Sequence, residues 1–289
     1  MKRFLCILIV VLWSACANLS AQQSAIADYH FGTYLLGKGL LRDATTLTHT
    51  LSEKDYTPAA LDTMRYLRGW TLYQSQKFAE AAQAFGSVGE SSSFYPKSTF
   101  FGAVCDLQEG NIATAKARLE EFALSPHADT FKELLAFEQG GIALLEGDYD
   151  AYEREQQLFS YSHFALRTEQ QTLDNIALNR PKELSPWVAG VASAIVPGLG
   201  KIYAGDVGGG VASFLLVGAF AALTANSWAK ADSPANLRTI TYGTIGSLIY
   251  ISNIFGSIAS VKVYYKRFEE INREAVMYSI HIPLRNIFD

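Results

Sequence analysis

Tyr66-Leu67-Arg68-Gly69-Trp70-Thr71-Leu72-Tyr73 is followed by four polar residues and then by Phe78-Ala79-Glu80-Ala81-Ala82-Gln83-Ala84-Phe85. This stretch decides the fold because it recurs. Gly69, Phe78, Ala81, Phe85 and Val88 superpose on Ala103, Ile112, Ala115, Leu119 and Phe122, each pair 34 residues apart. The series extends upstream as Gly32, Leu41, Ala44, Thr48 and Leu51, and downstream as Gly140, Tyr149, Tyr152, Gln156 and Phe159. Steps between the third members are 37, 34 and 37 residues, so two three-residue loop extensions interrupt an otherwise fixed period. A period of this length predicts stacked supersecondary units that bury a face only against their neighbours.

Within each unit the small first residue lets a helix A approach its partner, and the small third residue does the same for helix B. Large residues three, four and seven places on form an apolar stripe. Gly37-Lys38-Gly39, Gln74 to Lys77, Glu109-Gly110-Asn111 and Glu146-Gly147-Asp148 are the turns between the helices. Pro58, Pro96 and Pro126 mark where a new unit begins. The pattern over about residues 29–166 resembles the tetratricopeptide repeat (TPR) family, most closely in the stretch quoted above. Leu67 stands one place off the family's Leu-Gly pair, and Tyr152 stands where the family prefers Ala. The resemblance implies a solenoid whose concave face holds a peptide or helix of another protein. It places candidate groove residues at the helix A positions Arg65, Arg68, Tyr73, Lys97, Phe101 and Gln139. The alternative is a solenoid that packs against its own membrane domain. Phe164 to Asn179 reads as a closing helix with Phe164, Leu166, Leu173, Ile176 and Leu178 on its apolar side, and residues 181–186 as a Pro-rich linker.

Charge divides the chain unevenly. Charged residues are 18% of the 289, yet only Lys201, Asp206, Lys230, Asp232 and Arg238 interrupt the stretch from Trp187 to Val261. Gly208 to Trp228 and Ile240 to Val263 are each long and apolar enough to span a bilayer. Gly218 and Ala222 form one ladder of small residues, and Ser252, Gly256 and Ser260 another, the spacing by which membrane helices touch one another or a second copy. Asn253 lies deep in the second span, where an amide is expected to make a packing hydrogen bond. Residues 187–204 are apolar but broken at Pro197-Gly198, which predicts a kinked third span or a re-entrant hairpin. Three spans would place Lys262, Lys266, Arg267 and Arg273 in the cytoplasm, as the positive-inside rule prefers; two would leave them outside. Pro197, Gly198, Gly200, Tyr203 and Gly205 resemble the Pro-Gly-x-Gly-x-x-Tyr-x-Gly turn of small TM2-like membrane modules, which implies a compact membrane hairpin. Beyond it, residues 264–289 form a tail. Tyr264 to Met277 is amphipathic, with Phe268, Ile271 and Val276 facing membrane or bundle, and Tyr278 to Phe288 alternates as a short extended piece would.

The first residues carry an address. Lys2 and Arg3, an apolar run from Phe4 to Trp13 and a small residue at Ala21 are the layout of a secretory signal cleaved after residue 21, with lipidation at Cys16 the rival. Cys105 is then the one mature thiol, expected to be buried. A net charge of −4 and pI near 5.8 give no basic field for nucleic acid. The five histidines are scattered without metal-ligand spacing. Gly198-Leu199-Gly200-Lys201-Ile202 lacks the spacing and hydroxyl of a phosphate loop, and Ser91-Ser92-Ser93 lacks the context of a nucleophile elbow. No catalysis and no cofactor are expected. The sequence therefore predicts an all-α chain: residues 22–180 a TPR-like repeat domain, 187–263 a transmembrane hairpin or three-helix module. It would sit in a bacterial inner membrane with the repeats in the periplasm, and its partners would be envelope proteins or peptides and membrane lipid. The role is that of a scaffold; the alternative is a membrane-active module assisting transport or membrane-protein assembly, with the repeats regulatory.

Overall fold

The computed structural model describes residues 25–51, 56–230 and 236–288, all helices and connecting turns. The expected leader, Cys16 and the cleavage site at Ala21 lie outside the described residues, as does most of the turn after Lys230. The chain divides into two compact units: one holds the chain through Leu178 together with Ala275–Asp289, the other Asn179–Glu274.

The first unit is a row of helical hairpins. Helix α1 (25–37) pairs with α2 (Leu41–Leu51), α3 (Pro58–Gln74) with α4 (Phe78–Gly86), α5 (Tyr95–Gln108) with α6 (Ile112–Ala123), and α7 (Lys132–Glu146) with α8 (Tyr149–Gln156). The second member of each series (Leu41, Phe78, Ile112, Tyr149) is the first residue of a helix B, so the period marks the restart of helix after a turn. Ala44, Ala81, Ala115 and Tyr152, the third members, are all buried. At Gly69 an added methyl would lie 2.6 Å from the Phe85 ring, which is the close approach of α3 and α4 that the series requires. Local chemistry sets the ends. Thr57 caps α3 by accepting from the Ala60 amide, with Pro58 in the first turn, and Gly147 ends α7 in the left-handed region. Arg118 on α6 bonds Asp106 on α5 at 2.9 Å and donates to the Ala82 carbonyl on α4, tying three helices together in the interior. Cys105 is buried beside them, and burial pushes its thiol up to about 12.

Helix α9 (Arg167–Leu178) closes the row. It starts three residues later than expected: Leu166 and Leu173 are buried, whereas Phe164 precedes the helix in an exposed turn. Asp174 on α9 accepts from the Tyr152 hydroxyl at 2.6 Å and from Tyr161 at 2.9 Å.

The tail departs from the sequence reading. It is helical to Phe288, the end of a 52-residue helix α13 (Leu237–Phe288). From Ala275 onward that helix belongs to the repeat unit. Val276, Ile280 and Leu284 are each 0% exposed and join the core made by α3 to α9. Spacing explains the correction. These residues and Phe288 recur every four positions, which is one face of a helix, and the short alternation that suggested a strand is incidental to that stripe. Val276 faces the repeats rather than a membrane or bundle.

The second unit contains α10 (Pro186–Ile195), α11 (Leu199–Tyr203), α12 (Val207–Ala229) and the first part of α13. Two helices among the described residues, α12 and α13, are long and apolar enough to cross a membrane. Helix α10 has 10 residues and rises about 15 Å, half of a ~30 Å hydrocarbon layer. In α12 the apolar side chains Phe214, Leu215 and Trp228 are exposed, the reverse of a soluble core helix.

Candidate functional site

Three of the expected groove residues meet at one place on the helix A faces of the repeat unit. Lys97 on α5 carries its ammonium 4.8 Å from the ring centre of Trp70, 5.8 Å from Tyr66 and 5.9 Å from Phe101. Phe101 is fully buried and packs edge-on against Trp70 and Tyr73. The Tyr73 hydroxyl is hydrogen-bonded to Nε2 of His281. Lys97 Nζ donates to the carbonyl of Phe288 at 3.2 Å. The Phe288 ring packs at a tilt against Phe131 and Phe100, with ring centres 5.4 Å and 5.9 Å apart. Gly141 on α7 faces Ile280 so closely that an added methyl would lie 2.4 Å from it.

The occupant of this face is therefore the chain's own C-terminal helix. Phe131 meets Phe288 and Gly141 meets Ile280, so α7 and the tail run antiparallel. A lysine at the last carbonyls of a helix satisfies an orphan acceptor and opposes the negative end of the helix dipole. The aromatic faces of Trp70, Tyr66 and Phe101 hold that charge where it is half removed from water. Burial first, and the Arg285 charge second, keep His281 below the usual imidazole range, so the neutral ring is the docked form.

The other expected groove residues lie elsewhere. Arg65, paired with Asp62 at 3.0 Å, and exposed Arg68 line a separate cavity of about 390 Å³ with Met64, Glu80 and Gln83. Gln139 lines a third, of about 160 Å³, near Lys116 and Glu146. The sequence reading missed Trp70, Phe100, Phe131 and Gly141, because helix register had to be known before their direction was. It also missed Glu138, one turn before Gly141, which is 0% exposed and has no hydrogen-bond partner at either carboxyl oxygen among the described residues. Burial pushes its carboxyl far above the usual range, so it is held neutral.

In the second unit the turn motif performs structural work. Gly198 has φ 88°, and an added methyl there would lie 2.0 Å from the Gly210 carbonyl of α12. A methyl at Gly200 would lie 1.9 Å from the Ala189 carbonyl of α10. Pro197 and Gly198 form the break between α10 and α11, the Tyr203 hydroxyl accepts from the Ser185 amide at 3.1 Å, and Gly205, with φ 87°, turns the chain into α12. Asp206 then caps α12 through the Gly209 amide. Ser193 joins Ser257 of α13 at 2.6 Å and accepts from the Gly200 amide. Lys201 reaches Ser213 at 2.9 Å. Asn253 does not make the packing hydrogen bond expected of it: neither side-chain atom has a partner among the described residues.

No group of three or more acidic, cysteine or histidine side chains suited to a metal ion occurs among the described residues. Compared with known proteins, the chain matches no family model, no curated protein and no solved structure.

Proposed function

We propose that this chain is a membrane-anchored scaffold or adaptor: a TPR-like repeat domain, exported by its N-terminal signal to the periplasm of a bacterium and fixed to the inner membrane by α12 and α13. It binds envelope proteins rather than transforming a small molecule. The observation that carries this reading is the cavity of about 390 Å³ at Arg65 and Arg68, a polar surface with no residue of the docked tail in its lining. The helix A faces around Lys97 accept a helix bearing an apolar stripe, a helix-in-groove mode that the chain's own tail already uses.

A photo-crosslinking residue in place of Gln83, which lines the same cavity, in the membrane-embedded full chain tests the reading. A defined adduct with another envelope protein, lost in the charge reversal Arg65→Glu/Arg68→Glu, supports it. Complementation of a deletion strain by that charge-reversed chain, with no adduct in either form, overturns it.

The alternative, a membrane-active module with regulatory repeats, draws on Lys201 and Asn253. Polar groups inside membrane modules are costly and mark functional positions. If Lys201→Met and Asn253→Leu abolish complementation while the charge reversal does not, the second reading replaces the first.

A further inference from the structure

We infer that the chain crosses the bilayer an even number of times, so that the repeat unit and the C-terminal helix occupy one compartment. This rests on the membrane reading of α12 and α13 given above. The residues through Leu178 and those from Ala275 onward form one compact body. The polypeptide leaves that body after Leu178 and rejoins it at Ala275, and everything between is the second unit. Val276, Ile280 and Leu284 have no exposed surface and belong to the same core as Phe85, Phe101 and Phe137. A helix buried in that core cannot lie on the far side of a membrane from it. A path that starts and ends on one side crosses an even number of times.

Two helices among the described residues are long enough to cross, which makes the number two. The segment 187–204 is then not a third span. Its short helices and the Pro197-Gly198 break form a hairpin that enters and leaves on the repeat side. Lys230 after α12 and Asn236 before α13 then lie on the far side. Lys262, Lys266, Arg267 and Arg273 consequently lie on the repeat side, against the preference that positive charge shows for the cytoplasm when the repeats are exported. The docked helix opposes that preference. A tail exchanged between two copies would leave the parity unchanged, because each groove would still be filled from its own side.

Impermeant maleimide labelling of single added cysteines in sealed membranes tests this, with the parent chain as the background. Asp129→Cys reports the repeats, Lys230→Cys the turn and Glu270→Cys the chain just beyond the second span; all three positions are exposed. The expected result is that Asp129→Cys and Glu270→Cys label from one side and Lys230→Cys only from the other, with at least a tenfold difference in rate before and after permeabilisation. Glu270→Cys labelling from the side opposite Asp129→Cys overturns the inference, wherever Lys230→Cys lies. All three labelling from one side overturns the membrane-spanning reading itself, a separate outcome.

Discussion

The ammonium of Lys97 donates to the carbonyl of Phe288 across 191 residues of sequence. A cation over three rings and at a helix C-terminus combines two modest effects, each on the order of 1 kcal/mol. Lys97→Met keeps the aliphatic stem and loses both. It should destabilise the repeat unit by about 1–3 kcal/mol in denaturant titrations of the solubilised chain, with Lys97→Arg recovering part of the loss. Unchanged stability in Lys97→Met would show that the tail is held by apolar contact alone.

Gly141 and Ile280 should be coupled. Ile280→Ala leaves a cavity in a fully buried site and should cost about 2–4 kcal/mol. Gly141→Ala overpacks against the same side chain and should cost about 1–3 kcal/mol. The double variant should cost less than the sum of the two, because the alanine methyl enters the space that Ile280 vacates. An additive double-mutant cycle would place the tail elsewhere.

Tyr152 and Asp174 explain the irregular fourth repeat. Sister positions carry alanine, yet Tyr152→Ala should cost about 3–5 kcal/mol, since a large buried ring is removed. Tyr152→Phe should cost about 1–2 kcal/mol, the hydrogen bond to a carboxylate, with Gln156 and Tyr161 still serving Asp174. Thermal unfolding of the three chains orders them. A stabilised Tyr152→Ala would mean that the repeat consensus outweighs this packing.

The half-buried His281 and the buried Glu138 predict opposite pH dependences. His281 is held below its unfolded value near 6.5, first by burial and then by Arg285, so its stabilisation is full above that value and is lost as pH falls. Glu138 is held far above its unfolded value near 4.5 by burial, so its contribution is full below that value and declines as pH rises. His281→Gln should flatten the acid side of a stability–pH curve and Glu138→Gln the neutral and alkaline side. Curves parallel to the parent's would contradict both assignments.

Repeat period and helix starts were readable because turn residues and small residues are local signals. Leu41, Phe78, Ile112 and Tyr149 each open a helix where the period placed them. The glycines of the Pro197–Gly205 turn were readable as a motif, and their reasons emerged only with the neighbouring carbonyls in place. The tail was misread because a four-residue stripe at the end of a chain has no partner in sequence. What Val276, Ile280 and Leu284 face is fixed by residues more than a hundred positions away, and no local rule reports that. For the same reason the sequence places Tyr73, Lys97 and Phe101 at helix A positions without showing that they meet His281 and Phe288.

The buried tail also has a consequence for biogenesis. The repeat core cannot be completed until the last turns of α13 have left the ribosome. At roughly 5–20 residues per second, the 96 residues from Asn179 to Glu274 take on the order of 5–20 s to make. Through that interval Phe100, Phe101 and Phe131 await their cover, and a holding chaperone has its one window to act on the nascent chain.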